Sequence, residues 1–312
     1  MKTFFKPSGA ACPQGCAYCI VDMNPNRRKE YLESVLYFMN SFVAINIMPE
    51  RRDQHLEEIR NLDWSLFSGD YLGFQGASEP LMYKRTLFDI LGKARQFGFK
   101  VAICSKLSIG RRLAKELAEF RDVLDIEISY AKLSELERSD AKRLASIGNA
   151  LEAGFDVLTV IQPFIYGLTD VRLEELIREL KSVGATYVSV NGFRYSKAME
   201  WWARQVLPHH ILQMYRENEG VEYLPDRGQI EARLTAAGFK VTKISKWLRR
   251  NESGRYKDPA EVISNMKRLV GFKSQIDPSN PDWRVCDNEH LRVASDSNSE
   301  MLAKMFERRM NF

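Results

Sequence analysis

No run in this 312-residue chain approaches the roughly 18 consecutive apolar residues that a membrane-crossing helix needs, and the Met1 end has no long apolar segment of the secretory kind. Both absences predict a soluble, cytoplasmic chain with no membrane partner. Charge of one sign is not abundant either. The net charge of +5 is mild and does not establish a nucleic-acid partner, but its distribution is uneven. The segment from Lys243 to Lys273 carries nine Lys or Arg against three Asp or Glu, so its local excess surpasses that of the whole chain. Cysteine is scarce, with five residues in all, which excludes a disulfide-built scaffold. The chain shows no internal repeat beyond an alternation of strands and helices.

Three of those five cysteines lie together. Cys12-Pro13-Gln14-Gly15-Cys16-Ala17-Tyr18-Cys19 spaces its thiols C-x3-C-x2-C. An odd number does not pair into disulfides, and a closed zinc site takes four nitrogen or sulfur ligands. No fourth is near, because the other cysteines are Cys104 and Cys286 and the first histidine is His55. Three thiolates can instead hold three irons of a [4Fe-4S] cluster and leave the fourth iron open.

This spacing, with Tyr18 just before the last cysteine, resembles the signature of the radical S-adenosylmethionine (radical SAM) enzymes. The resemblance implies a [4Fe-4S] cluster on Cys12, Cys16 and Cys19, with SAM chelated to the open iron through its amino and carboxylate groups. It also implies an external electron donor of flavodoxin or ferredoxin type. One electron would cleave SAM to methionine and a 5′-deoxyadenosyl radical, which abstracts hydrogen from a substrate.

The order of elements agrees with an α/β chain. Thr3 to Lys6 reads as a first strand, broken into the cysteine loop by Pro7-Ser8-Gly9. Helical periods are expected from Asn26 to Phe42 and from Glu50 to Leu62. Strands are then expected at Tyr71 to Gln75, Lys100 to Cys104, Leu124 to Ser129, Val157 to Gln162 and Tyr187 to Asn191. Between them come helices near Leu87 to Phe97, Arg111 to Phe120, Ala141 to Ala153 and Leu173 to Val183. Six strands alternating with helices predict right-handed crossovers and a parallel sheet. Six units rather than eight predict a partial (β/α)6 barrel spanning residues 1–195, with a mostly helical extension over 196–312 that covers it. In that extension Trp201, Trp202, Leu207, Ile211 and Leu212 suggest a helical cover, Ile230 to Thr242 a helix and strand, Ser274 to Ser299 irregular chain, and Glu300 to Arg309 a last helix.

The strand ends carry the remaining candidates. Ala77-Ser78-Glu79-Pro80 follows the Tyr71 strand and is similar to the Gly-Gly-Glu-Pro stretch that in radical SAM enzymes contacts the amino group of SAM. Both glycines are replaced, while Glu79 stays in register. Cys104-Ser105-Lys106 and Glu127-Ile128-Ser129 resemble stretches of the spore-photoproduct-lyase-like branch of that family. So do Arg143-Leu144 through Leu151-Glu152-Ala153-Gly154, and Gln162-Pro163 through Gly167-Leu168-Thr169-Asp170. The resemblance runs from about Met1 to Tyr195. It implies that Ala77, Ser78 and Glu79 line the SAM site, that Lys106 approaches the SAM carboxylate, and that Ser129 and Arg143 belong to the same pocket. Two features of that branch are missing here: Ala77 and Ser78 stand where its cysteine hydrogen donor lies, and Ile20 stands where a tyrosine follows the last cluster cysteine. The resemblance therefore does not extend to lesion repair, and points to modification or rearrangement of a nucleobase, in DNA or as a nucleotide. A peptide or small metabolite is the alternative substrate. Two readings of other classes compete: a non-enzymatic nucleic-acid-binding protein with a structural metal loop, and an electron-transfer protein. The basic and aromatic residues Trp247, Arg249, Arg250, Arg255, Tyr256 and Lys257 suit phosphates and stacked bases, or an ordinary solvated surface.

Overall fold

The structure, a computed structural model, describes residues 14–19, 34–38, 43–47, 71–74, 79–82, 84–97, 100–137, 140–243 and 283–285. Among them, five consecutive parallel strands form the centre: β3 (Tyr71–Phe74), β4 (Lys100–Ser105), β5 (Leu124–Ser129), β6 (Val157–Phe164) and β7 (Tyr187–Arg194). Two preceding strands, β1 (Ser34–Phe38) and β2 (Val43–Ile47), form an antiparallel pair, and β1 lies antiparallel against β3. The α/β sheet is mostly parallel and curls into a half-barrel, as the alternation predicts.

The connections are the helices α1 (Lys84–Phe97), α2 (Arg111–Ala118), α3 (Asp140–Glu152) and α4 (Leu173–Ser182). Their patterns explain their placement. In α4 the buried side chains are Leu173, Leu176, Ile177 and Leu180, the i, i+3, i+4, i+7 stripe of a helix packed on one side. Glu174 and Glu175 in its first turn favour the positive end of the helix dipole. The helix stops at Gly184, which takes φ of 79°. There the Gly184 amide donates to Lys181 O and the Ala185 amide to Leu180 O, both at 3.0 Å, satisfying carbonyls that the helix leaves unpaired.

Alternation divides the sheet into two faces. In β5 the residues Leu124, Ile126 and Ile128 belong to the apolar core, while Asp125, Glu127 and Ser129 take the opposite face and are also buried. The register pairs Cys104 with Glu127 and Ala102 with Asp125, which places both neighbours on that second face. On the face turned away from the apolar core β5 is thus polar, flanked by Ala102 and Cys104 of β4 and by Leu158 and Val160 of β6.

Beyond β7 the chain forms α5 (Glu200–Val206), α6 (His209–Glu217), β8 (Glu222–Tyr223), α7 (Arg227–Ala236) and β9 (Lys240–Val241). β9 extends the sheet, parallel to β7. Phe193 anchors these helices to β7: its ring lies 5.0 Å from Tyr215, 5.8 Å from Trp202 and 6.3 Å from Tyr195. Such aromatic pairs each add about 0.5–1.5 kcal/mol beyond the area they bury. The helix and strand expected over Ile230 to Thr242 are both present.

Two expectations fail. Ser34 to Phe38 lies inside the helix expected from Asn26 to Phe42 but is strand β1. The run Ser34-Val35-Leu36-Tyr37-Phe38 holds a β-branched and two aromatic residues, and Val43 to Ile47 supplies a strand partner in register, so pairing overrides the helical period. Likewise Trp283–Val285, within the stretch expected to be irregular, forms β10 and pairs antiparallel with β2. The expected strand at Thr3 to Lys6, the helix at Glu50 to Leu62, the final helix, and the basic stretch past Lys243 lie outside the described residues. No helix among the described residues is long and apolar enough to cross a membrane.

Candidate functional site

The cysteine loop is fixed from two sides. Gly15 takes φ of 58°, a left-handed conformation that places a glycine at the turn between Gln14 and Cys16. Residues 14–18 are buried. The Ala17 amide donates to Leu136 O at 2.8 Å, and the Trp202 indole Nε1 donates to Ala17 O at 3.1 Å. Ala17 is therefore held through both of its flanking peptide groups, by the connection after β5 and by α5. Trp202 is itself fully buried, so the bond is shielded from water.

The connection after β5 is pinned in turn to α4. Tyr130 Oη donates to Glu179 Oε2 at 2.6 Å, Lys132 Nζ pairs with Glu175 and Glu179, and Arg172 Nη1 meets Glu135 at 2.7 Å and donates to Lys132 O at 3.1 Å. These contacts bring Leu136 to the loop and place Glu137 beside Cys16, with Cys16 Sγ 3.9 Å from Glu137 Oε2. Burial pushes the Cys16 thiol up to about 12, with Lys106 opposing. Such a thiol stays protonated until a metal displaces the proton.

Lys106 is the hub. Its Nζ lies 3.0 Å from Glu137 Oε2, donates to Tyr18 Oη at 2.8 Å and to Gln162 O at 3.1 Å, and stands 5.0 Å from the centre of the Tyr18 ring. Its backbone amide donates to Glu79 Oε2 at 2.9 Å. Arg143 Nη2 lies 2.6 Å from Glu137 Oε1, both side chains fully buried, and Arg143 Nη1 donates to Ser129 O at 3.4 Å. Ser129 Oγ donates to Gln162 O at 2.9 Å, the same carbonyl that Lys106 uses. Glu79, Lys106, Ser129 and Arg143 thus converge with Cys16 and Tyr18. Cys19 belongs to the same loop, its amide donating to Cys16 O at 3.2 Å. Cys12, Ala77 and Ser78 lie outside the described residues, and among the described residues no three acidic, His or Cys side chains come together as a metal-holding set.

Glu79 is buried, and its Oε1 has no hydrogen-bond partner among the described residues. Desolvation raises its pKa, opposed by the Ser105 hydroxyl, the Lys106 amide, and the Lys106 and Arg143 charges. An unsatisfied buried carboxylate oxygen next to cations is a ready acceptor for an ammonium donor.

The chain is distantly similar in structure to spore photoproduct lyase. A tyrosine-to-phenylalanine mutant of that protein aligns at a TM-score of 0.40 and 12% identity, covering 84% of this chain and 71% of the other. A cysteine-to-alanine mutant with dinucleoside spore photoproduct aligns at 0.35 and 12%, covering 78% and 72%. No protein-family profile matches, and no curated protein does.

Sequence reasoning missed Glu137 and did not foresee the double use of Gln162 O. Glu137 sits in the polar stretch Ser134-Glu135-Leu136-Glu137, which has the composition of a solvated connection. Nothing in it signals that one of its acids is buried between two cations. Glu127, part of a strand-end motif in the sequence, is fully buried with only the weak Cys104 thiol as a hydrogen-bonding neighbour.

Proposed function

We propose that this chain is a radical SAM enzyme. What supports the reading is the meeting of a C-x3-C-x2-C loop with Glu79, Lys106, Ser129 and Arg143, residues distant in sequence and joined in one network of charge-assisted contacts. The residues suit the cofactors. Cys12, Cys16 and Cys19 would hold a [4Fe-4S] cluster, and the orphaned oxygen of Glu79 suits an ammonium while Lys106 suits a carboxylate. Once bound, cluster and SAM would supply one-electron reductive cleavage and hydrogen abstraction, with the electron coming from a flavodoxin-type or ferredoxin-type donor.

The chain's own residues have simpler tasks. Glu79 and Lys106 bind the two ends of an amino-acid headgroup and so fix its orientation. Arg143 and Ser129 brace the strand end beneath it. Trp202, with the aromatic cluster of the cover, shields the loop from water. The test is anaerobic reconstitution of the full chain, followed by iron analysis, electron paramagnetic resonance and measurement of 5′-deoxyadenosine released with SAM and reductant. About four irons per chain and 5′-deoxyadenosine release are expected. Tightly bound zinc without iron, or no SAM cleavage by a cluster-loaded chain, would reject the reading.

For the substrate we propose a nucleobase, in DNA or as a nucleotide, because the residues from Met1 to Tyr195 resemble a branch acting on thymine and the segment from Lys243 to Lys273 has the composition to follow phosphates. Binding to DNA should then weaken steeply with salt, and Arg249→Ala with Arg250→Ala should flatten that slope while leaving SAM cleavage without substrate unchanged. Salt-independent binding, or hydrogen abstraction from a peptide or small metabolite instead, would refute the nucleobase.

A further inference from the structure

Glu137 has no role in the proposed reaction so far, yet it is the best-embedded acid near the cysteine loop. Its side chain is fully buried, Oε1 is 2.6 Å from Arg143 Nη2, and Oε2 is 3.0 Å from Lys106 Nζ and 3.9 Å from Cys16 Sγ. Its neighbour Leu136 receives the Ala17 amide, so the same two residues hold the loop by its backbone and face it with a charge. Lys106 alone could not stay at the loop. With 22% of its side chain exposed, its ammonium would otherwise favour water, and Glu137, Tyr18 and Gln162 O together keep it there.

We propose that Glu137, which with Tyr18 and Gln162 O holds the Lys106 ammonium beside the cysteine loop, governs through its own charge next to Cys16 how readily a cluster on that loop accepts an electron. The inference rests on the proposed function, because it concerns a cluster bound by these cysteines. Its physical basis is short-range electrostatics in a shielded site. A negative charge about 4 Å from a ligand sulfur disfavours adding an electron, and the low effective dielectric of a buried site preserves that effect. Arg143 offsets the charge from the far side of the carboxylate, and Lys106 from the near side. The placement leaves Glu137 between both cations and touching the thiol, so the potential follows the balance of the three.

The experiment uses the full chain, reconstituted anaerobically without SAM, and reads the midpoint potential of the cluster by a redox titration followed by electron paramagnetic resonance. Glu137→Gln should move the potential to more positive values, because Tyr18 and Gln162 O still hold the Lys106 ammonium in place. Glu137→Asp, which keeps the charge, should bring it back toward that of the unaltered chain. A purely structural Glu137 would lower cluster content and thermal stability without moving the potential of the clusters that form. Glu137→Gln leaves Arg143 buried beside an uncharged partner, so the variant is paired with the double variant Glu137→Gln with Arg143→Met. That variant removes both charges and should show a smaller shift of the same sign, because the charge nearer the sulfur outweighs the farther one. A potential unchanged in Glu137→Gln, or in the double variant where the single one does not fold, overturns the inference. An unaltered chain that takes no cluster rejects the proposed function itself and this inference with it, whereas a cluster whose potential ignores Glu137 rejects the inference alone.

Discussion

Replacing Glu127 by Gln should stabilise the protein at neutral pH, an unusual expectation for a buried polar residue. Glu127 is fully buried in mid-strand β5, and its one hydrogen-bonding neighbour there is the thiol of Cys104, a weak donor. Burial raises its pKa from 4.5 to about 8, with Asp125 pushing the same way and the Cys104 thiol opposing. At pH 7 the folded protein therefore keeps this proton, while the unfolded chain, near 4.5, has lost it. A raised carboxyl pKa means that the folded state binds more protons between those two values, so stability falls as pH rises from about 4.5 to about 8 and levels off above. At roughly 1.4 kcal/mol per pH unit the ceiling at pH 7 is about 3 kcal/mol, and structural relaxation lowers it, so a gain of about 1–3 kcal/mol is expected for Glu127→Gln. The gain should shrink as pH falls and vanish near 4.5, because the carboxyl is then neutral in both states. Urea unfolding of both proteins from pH 4.5 to 9 measures it. A loss of stability at pH 7, or a difference independent of pH, would show that Glu127 is ionised and partnered in the fold, and would refute the reasoning.

Replacing any of Cys12, Cys16 or Cys19 by Ala should remove the iron chromophore of the reconstituted chain, and Cys286→Ala should keep it; absorption spectra and iron analysis decide. Glu79→Gln and Lys106→Met should each raise the dissociation constant of SAM about tenfold or more, because a charge-assisted hydrogen bond contributes roughly 1.5–3 kcal/mol. Equilibrium binding with circular dichroism as a control for folding checks this, and unchanged affinity in both variants would displace the proposed pocket. Trp202→Phe keeps most of the ring packing but leaves Ala17 O without its indole partner. It should cost on the order of 1–3 kcal/mol in denaturant unfolding, and no measurable cost would mean that the loop is held without the cover.

How much of this was legible in the sequence follows from where each residue sits. Strands β4 to β7 and the helices between them carry clear periodicity, and their expected bounds agree with the observed ones to within a few residues. A parallel sheet brings the carboxyl ends of its strands to one edge, so Lys106 after β4 and Ser129 at the end of β5 meet whatever their separation in sequence. A reader who finds the strands thereby finds these candidates. Glu137 has no such marker. It lies in a connection, and the pinning of that connection to α4 through Lys132 and Tyr130, and to Arg172 just before α4 through Glu135, carries it inward. Strand β1 escapes a reading by period because its apolar and aromatic run fits a helix as well as a hairpin with β2, and β10 because it is short and its partner β2 is remote in sequence.

The charges of the site suggest why these particular residues are grouped. Glu79 and Glu137 bring two carboxyl groups, and Lys106 and Arg143 bring two cations. Arg143 and Glu137 are matched to each other in full burial, so the pair adds almost no net field at a distance. What remains for a ligand is Glu79, with one oxygen unsatisfied among the described residues, and beside it Lys106, which would exchange one of its present contacts for a ligand carboxylate. A lone anion would meet the nearby acids, and a lone cation would meet Lys106. A group carrying both an ammonium and a carboxylate meets neither objection, because each end has an opposite charge to face. Under the proposed function the arrangement would thus favour the headgroup of an amino acid over either ion alone, which is the chemistry that the proposed cofactor presents at this end.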